Sequence, residues 1–267
     1  MYTMGIDVGS SSSKAVILRD GQDMVAGAAV QAGTGSSGPG RVLEEITASS
    51  GLALSDMSFI LATGYGRITL PMADKQMSEI TCHARGVFFE HPDARTIIDI
   101  GGQDVKAISL NNRGMVQQFC MNDKCAAGTG RFLEVMSRVL EVGLDEMGEY
   151  HFRSKHPAPV SSTCTVFAES EVISLLSQGI AKEDIIAGLH NSVAAKTSAL
   201  AQRVGVHPLV ILCGGVAKNR GVADALEKKL EQKIVVAKNP QLTGALGAAL
   251  LAYEAWKKGE KRKEKSA

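Results

Sequence analysis

Short apolar runs that end at a glycine alternate with longer stretches of helical periodicity along the chain. The first run, Tyr2–Val8, closes at Gly9, and two further apolar runs follow it, joined by hairpin-type turn residues at 19–22. This pattern predicts three strands in an antiparallel meander. A second cluster of short apolar runs begins at residue 96. Because helical segments occur between and after the two clusters, the pattern predicts an α/β fold built in layers.

The boundaries of the predicted elements follow from where each periodicity starts and stops. The predicted strands cover residues 2–8, 15–18, 24–30, 59–62, 96–100, 105–110, 115–119, 208–212 and 233–236. The predicted helices cover residues 41–49, 75–89, 131–141, 167–176, 185–203, 221–230 and 242–257. The end of the chain, residues 257–267, is rich in lysine and glutamate, which predicts a solvated and frayed tail.

One short pattern occurs twice and organises the chain. The segment Ile6-Asp7-Val8-Gly9 is followed by Lys14-Ala15, and the segment Ile98-Asp99-Ile100-Gly101 is followed by Lys106-Ala107 at the same spacing. Each copy predicts a strand, a tight turn that begins at glycine, and a second strand. A repeat of this kind predicts two related lobes, with a boundary near residues 90–95.

The two repeated turns are candidate phosphate sites. The first turn carries four hydroxyl side chains and ends at a lysine, with the residues Gly9, Ser10, Ser11, Ser12, Ser13 and Lys14. The second turn contains Gly101, Gly102 and Gln103. Backbone N–H groups, hydroxyls and a lysine charge suit an anion, and Asp7 and Asp99 at the strand ends could hold Mg²⁺ through waters. Two ordinary hairpins with surface serines are the alternative, and the duplication favours phosphate binding.

Two further glycine patterns have different interpretations. The run Gly214, Gly215, Val216, Ala217, Lys218 and Asn219 follows an apolar strand and opens a helix, which is a setting typical of a nucleotide site. A GxGxxG pattern at Gly33, Gly35 and Gly38 follows the third strand of the meander instead of the first strand of a βαβ unit, so we interpret it as unrelated to dinucleotide binding. The chain contains no GxxxxGK[ST] pattern.

The charge balance and the cysteine count narrow the function class. Lys plus Arg is 29 and Asp plus Glu is 28, which argues against a nucleic-acid binder. The N-terminus lacks a signal-peptide pattern and no apolar run is long enough to span a membrane, so we expect a cytoplasmic protein with reduced cysteines. A disulfide framework is therefore not expected, and any role of the five cysteines is catalytic or metal-binding.

Two of the cysteines are candidate metal ligands. Cys125 and Cys164 each precede a predicted helix, whose N-terminus favours a thiolate or an anionic cluster. Two thiolates do not fill a tetrahedral iron or zinc site, whereas a two-fold dimer would supply four. The spacing alone therefore leaves the metal site open. The other three cysteines, Cys82, Cys120 and Cys213, are expected to be structural.

Eight motifs together resemble one family over nearly the whole chain. They are GIDVGSSSSKAVIL, ATGYGR, DKQMSE, IDIGGQDVKAI, MNDKCAAGTGRFLEVM, VSSTCTVFAESEVIS, CGGVAKNRGV and QLTGALGAAL. The chain is similar to the activators of 2-hydroxyacyl-CoA dehydratases, a family related to the ATPase subunits of benzoyl-CoA reductase. The four serines of the first turn depart conservatively from the alanine or threonine expected at one of these positions.

The resemblance implies a two-lobed, actin-like ATPase, with one lobe formed by 1–94 and the helix 242–267 and the other by 95–241. It implies a homodimer that shares one oxygen-sensitive [4Fe–4S] cluster, held by Cys125 and Cys164 of each subunit. ATP or ADP with Mg²⁺ would lie between the lobes, with Ser10–Lys14 and Gly101–Gln103 at the phosphates and Gly214–Asn219 near the adenosine. The implied catalytic residues are Asp7, Asp99 and Gln103.

The resemblance also implies the partners and the sequence of events. Reduced ferredoxin or flavodoxin would donate one electron to the cluster, ATP binding and hydrolysis would move the helices beside it, and the electron would pass to the dehydratase. We expect this protein in the cytoplasm of an anaerobic bacterium, with neither nucleic acid nor membrane as a partner. A small-molecule kinase of the N-acetylhexosamine type and an actin-like scaffold are the alternatives. The 2-hydroxyacyl-CoA used by the dehydratase stays open.

Overall fold

Two five-stranded sheets with the same strand order form the centre of two structural units. The computed structural model describes residues 1–122, 125–161 and 164–266, with side chains as far as Gly259. Unit 1 comprises Met1–Asp93, Asn111–Val116 and Gln241–Ala267, and unit 2 comprises Ala94–Leu110 and Gln117–Pro240. Among the quoted motifs, Asp123, Lys124, Ser162 and Thr163 lie outside the described residues.

Unit 1 contains one sheet and three long helices. Its sheet has the order β3-β2-β1-β4-β5. The strands are β1 (Tyr2–Val8), β2 (Ser13–Arg19), β3 (Asp23–Val30), β4 (Met57–Thr63) and β5 (Lys75–Gln76), and the helices are α1 (Gly38–Ser50), α2 (Glu79–Glu90) and α8 (Thr243–Ser266). The antiparallel pairing of β1 with β2 and of β2 with β3 confirms the predicted meander.

Unit 2 repeats this order around β6. Its sheet runs β10-β9-β6-β7-β8, so that, as in unit 1, the first strand lies between its hairpin partner and a parallel strand. The strands are β6 (Thr96–Ile100), β7 (Val105–Leu110), β8 (Val116–Asn122), β9 (Val210–Cys213) and β10 (Ile234–Val236), and the helices are α3 (Gly130–Leu140), α4 (Met147–Arg153), α5 (Thr165–Ser177), α6 (Lys182–Gln202) and α7 (Arg220–Leu230). The predicted α/β fold class is confirmed.

The register of the two hairpins aligns the repeated residues. Asp7 lies opposite Lys14 on the neighbouring strand, and Asp99 lies opposite Lys106 in the same way. The turns close alike, since the N–H of Gly9 donates to the Ser12 carbonyl at 3.0 Å and that of Gly101 donates to the Asp104 carbonyl at 2.9 Å. The sequence repeat is therefore a repeat of backbone geometry.

The structure corrects the sequence-based assignment of elements in three places. The predicted helix over 75–89 begins only at Glu79, where the Ser78 hydroxyl accepts the N–H of Ile80 as an N-cap, and the preceding Lys75–Gln76 pairs with β4 instead. The seven-residue helix α4 was not predicted, because its length spans barely two turns of periodicity. The tail predicted as frayed continues as helix α8 to Ser266.

Helix α8 packs in unit 1 through glycines. A Cβ on Gly247 would overlap the carbonyl of Cys82 in α2, and a Cβ on Gly5 would overlap the backbone of α8. The α8 side chains Leu246 and Leu250 bury against Val16 and against Leu18 of β2. The small residues of this helix thus allow backbone to approach backbone, in the way that glycine permits.

We expect Gly247→Ala to destabilise the protein by about 1–3 kcal/mol, because its methyl group has to displace the α2 backbone. Gly259→Ala is the matched control in the same helix: nothing lies within 4 Å of its new Cβ, so we expect a gain of about 0.5–1 kcal/mol. Urea denaturation of both variants measures the two changes. Equal stability of the two variants would contradict the close packing.

Candidate functional site

The first turn joins β1 to β2 in unit 1 and carries small polar residues. Ser10, Ser11 and Ser12 are half-buried in the turn, whereas Ser13 is fully buried and donates its hydroxyl to the Ala32 carbonyl at 2.8 Å. Ser13 thereby holds the segment after β3 against the turn. The Gly9 carbonyl accepts the N–H of Thr34 at 2.9 Å, which adds a second bond between the two segments.

Close packing also explains two of the three glycines of the GxGxxG pattern. A Cβ on Gly33 would overlap the Ser10 carbonyl, and a Cβ on Gly38 would overlap the Ala32 carbonyl. The two glycines are therefore required for close packing beside the first turn. The pattern follows β3, which is the third strand of the antiparallel meander.

The side chain of Asp7 is closely surrounded by other residues of unit 1. Its carboxylate is largely buried, and Oδ2 lies 3.5 Å from Lys14 Nζ. A Cβ on Gly64 would overlap Oδ1, and a Cβ on Gly244 would lie 3.1 Å from Oδ2 and 3.2 Å from His83 Nε2. Gly64 and Gly244 belong to the motifs ATGYGR and QLTGALGAAL, to which the sequence argument assigned no role.

The second turn differs from the first by one carboxylate. Lys106 Nζ lies 3.4 Å from Asp99 Oδ2 and 2.5 Å from Asp104 Oδ2, so this lysine contacts two acids, whereas Lys14 forms its ion pair with Asp7. Asp104 was missed by the sequence argument. Comparison with the first turn, where serine occupies the same position, could have found it. Gln103 is exposed at the tip of the turn.

The third glycine element lies directly against the second strand end. Gly214 has φ +86°, and a Cβ there would overlap the Ile100 carbonyl and lie 2.6 Å from Asp99 Oδ1. Only glycine allows both the positive φ and this close approach without strain. Gly215 and Lys218 are exposed in the single 3₁₀ turn that follows. Unit 2 therefore brings Asp99, the second turn and the third glycine element together.

Asn219 has a supporting position at the end of this element. Its Oδ1 accepts the N–H groups of Gly221 and Val222 at 3.0 and 3.2 Å and caps α7, while its Nδ2 lies 3.1 Å from His190 Nε2. Burial lowers the pKa of His190 to about 3, with the charge of His151 as a smaller cause, so His190 is neutral at pH 7. A neutral Nε2 accepts the Asn219 N–H. The buried His190 was not among the sequence-based candidates.

The start of helix α3 connects the second turn to the first cysteine motif. The N–H groups of Gly130 and Arg131 donate to the carbonyls of Gly101 and Gly102 at 2.9 and 2.8 Å. These N–H groups have no partners inside the helix, and the turn satisfies them. The loop that begins at Cys125 therefore ends on the backbone of the candidate phosphate turn.

The two candidate ligands, Cys125 and Cys164, are free and exposed in unit 2. Cys164 is the N-cap residue of α5, where unpaired backbone N–H groups and the helix dipole favour a negative sulfur ligand. Cys82 differs: burial is the largest cause that raises its thiol pKa, to about 12, which makes it an inert thiol. Cys213 is also buried and Cys120 is half-buried.

Complete metal sites and membrane spans are both missing from the part of the chain that the structure describes. No group of three or more His, Cys, Asp or Glu side chains there is arranged to hold a metal ion. None of the described helices combines the length and the apolar character needed to cross a membrane. Two cysteines of one chain thus provide at most a partial metal site.

Known proteins resemble this chain over most of its length. The BadF/BadG/BcrA/BcrD ATPase family matches over residues 4–252. The chain belongs to this ATPase family. It is 61% identical to the activator of lactoyl-CoA dehydratase from Anaerotignum propionicum, over 97% of this chain and 100% of that protein. It is 54% identical to the (R)-2-hydroxyglutaryl-CoA dehydratase activating ATPase from Acidaminococcus fermentans, over 95% and 98% of the two chains.

Solved structures agree on the fold of this ATPase. The activator of the 2-hydroxyisocaproyl-CoA dehydratase from Clostridium difficile, solved with bound ADPNP, superposes with a TM-score of 0.96 at 53% identity and covers 98% of both chains. More distant structures, such as a ROK family glucokinase from Streptomyces griseus at 13% identity and a TM-score of 0.57, share the fold alone. The predicted actin-like fold and the predicted family are both confirmed.

Proposed function

We propose that this ATPase activates a 2-hydroxyacyl-CoA dehydratase, as a homodimer that takes single electrons from reduced ferredoxin or flavodoxin and delivers them at low potential. The named relatives support the dehydratase as the partner. The observation that carries the coupling is the pair of hydrogen bonds from Gly130 and Arg131 to Gly101 and Gly102. Because these bonds join the second turn to the loop after Cys125, a displacement of the turn backbone would also displace this loop.

The donor set of unit 2 fits an iron–sulfur cluster that two chains share. Cys125 and Cys164 are exposed soft ligands near helix N-termini, and neither is consumed in a disulfide. Two chains provide the four thiolates that a [4Fe–4S] cluster takes. When bound, such a cluster supplies a one-electron carrier whose potential responds to the charges and hydrogen bonds around its sulfurs.

The exposed face of α5 supports the homodimer. Val166, Phe167 and Ile173 are 67%, 69% and 53% exposed, although each is a large apolar residue. They begin two residues after Cys164, on the helix that this cysteine caps. Several exposed large apolar side chains on one helix mark an interaction surface, and a second copy would bring its own Cys164 to the same place.

The nucleotide roles follow from the two turns. We assign the phosphates to Ser10, Ser11, Ser12, Lys14 and the backbone of the second turn, and the Mg²⁺ waters to Asp7 and Asp99. Gly214 and Gly215 would allow the adenosine to approach the backbone closely. Asn219 caps the N-terminus of α7. Gln103 is the exposed candidate to orient the attacking water. Each turn offers N–H groups and a nearby lysine, which is the combination that binds phosphate oxygens.

Anaerobic purification followed by reconstitution tests the proposal. We expect a brown dimer that contains two irons and two sulfides per chain, hydrolyses ATP, and restores activity to an inactive 2-hydroxyacyl-CoA dehydratase in the presence of ATP and reductant. The dehydratase assay without ATP, and with ADP in its place, is the control. A colourless monomer that phosphorylates an amino sugar, or one that polymerises with ATP, would contradict it.

A further inference from the structure

A lysine outside both cysteine motifs lies beside them in unit 2. Lys196 belongs to α6, more than thirty residues after Cys164 in sequence. Its side-chain carbons lie 3.5–3.6 Å from where a Cβ of Gly128 would be, so the lysine stem packs along the turn that follows Cys125. Its ammonium lies 5.5 Å from the centroid of the Phe132 ring in α3. The lysine is thus held between α6 and the loop that leads into α3.

The ammonium group of Lys196 interacts electrostatically with both cysteines. Burial lowers the pKa of this lysine, and the charges of Cys125 and Cys164 act in the opposite direction. Lys196 therefore brings a cation from α6 to the loop that follows Cys125.

We propose that the positive charge of Lys196 raises the electron affinity of the metal centre held by Cys125 and Cys164. This inference rests on the proposed function. One electron from the donor adds one negative charge to a centre that four thiolates already make negative, and a nearby ammonium stabilises the reduced form more than the oxidised form. In the dimer, each subunit contributes one such lysine, so a single substitution removes two charges.

The test is an anaerobic redox titration of the purified dimer, followed by visible absorption and by electron paramagnetic resonance of the reduced cluster. We expect Lys196→Met to make one-electron reduction about tenfold less favourable, a shift of about 59 mV to more negative potential. Lys196→Arg keeps the charge and should stay near the wild-type potential. Lys229→Met removes an exposed lysine from α7 of the same unit and is the matched control. If Lys196→Met does not fold, Lys196→Gln provides the measurement.

The outcomes separate this role from the proposed function. A wild-type protein without any cluster would contradict both. A cluster whose potential is the same in the wild type, Lys196→Met and Lys229→Met would contradict only the role of Lys196. Equal shifts in Lys196→Met and Lys196→Arg would assign the effect to packing over Phe132 and would also overturn it. A shift in the neutral variant that shrinks at high salt, as screening of a charge requires, would support it.

Discussion

Cys125→Ser and Cys164→Ser are each expected to yield a colourless protein without iron or sulfide. A single substitution leaves the dimer with two thiolates instead of four, and a serine hydroxyl is a poor ligand for an iron–sulfur cluster. Activation of the dehydratase should fall to background in both variants. Iron and acid-labile sulfide per chain, measured on anaerobically purified protein, give the result directly.

Cys120→Ser is the control for these variants. Cys120 is half-buried on β8 and packs against the core of unit 2, so its replacement should leave iron content unchanged. Nucleotide binding should survive in Cys125→Ser and Cys164→Ser, because the hydrogen bonds between α3 and the second turn are made by the backbone of Gly130 and Arg131 and involve neither cysteine side chain. A full cluster spectrum in either variant would exclude these residues as ligands.

Asp7→Asn and Asp99→Asn are each expected to lower kcat for ATP hydrolysis by about 100-fold or more. An amide keeps the shape of the carboxylate but loses the charge that we assign to the Mg²⁺ waters, and loss of one electrostatic contact to a transferring group costs on that scale. Of the two variants, Asp99→Asn is the cleaner, because Lys106 keeps its ion pair with Asp104. Steady-state hydrolysis at saturating ATP measures the change.

Asp23→Asn is the matched control for hydrolysis. Asp23 is exposed on β3, and its ion pair with Arg19 at the surface contributes little to stability. Circular dichroism should show that all three variants are folded, and a higher Mg²⁺ requirement in Asp7→Asn and Asp99→Asn would point to the metal waters. Wild-type kcat in both variants would remove these aspartates from the catalytic assignment.

Strands were easier to predict than helix ends in this chain. The predicted bounds of β1, β6 and β7 match the structure, because each strand is a mostly apolar run that is followed by a turn residue. The start of α2 depends on a single cap, Ser78, and the short pairing of Lys75–Gln76 with β4 depends on a strand distant in sequence. Such long-range pairing overrides the local helical pattern.

The candidate site was predictable only where the sequence repeats. Asp7 and Asp99 were found because the duplicated spacing places each opposite a lysine, and the structure has this register. Lys196 and His190 were missed because both lie on α6, and their partners are far away in sequence. No local spacing indicates which residue of a long, largely buried helix reaches a loop on another element.

Synthesis of the polypeptide completes unit 2 before unit 1, although unit 1 begins first. Residues 94–240 contain all five strands of the second sheet, whereas helix α8 of unit 1 is made only after them. Until then, Val16 and Leu18 have no cover from Leu246 and Leu250. The nascent chain therefore carries an exposed apolar sheet face until α8 is made, and chaperones bind surfaces of this kind.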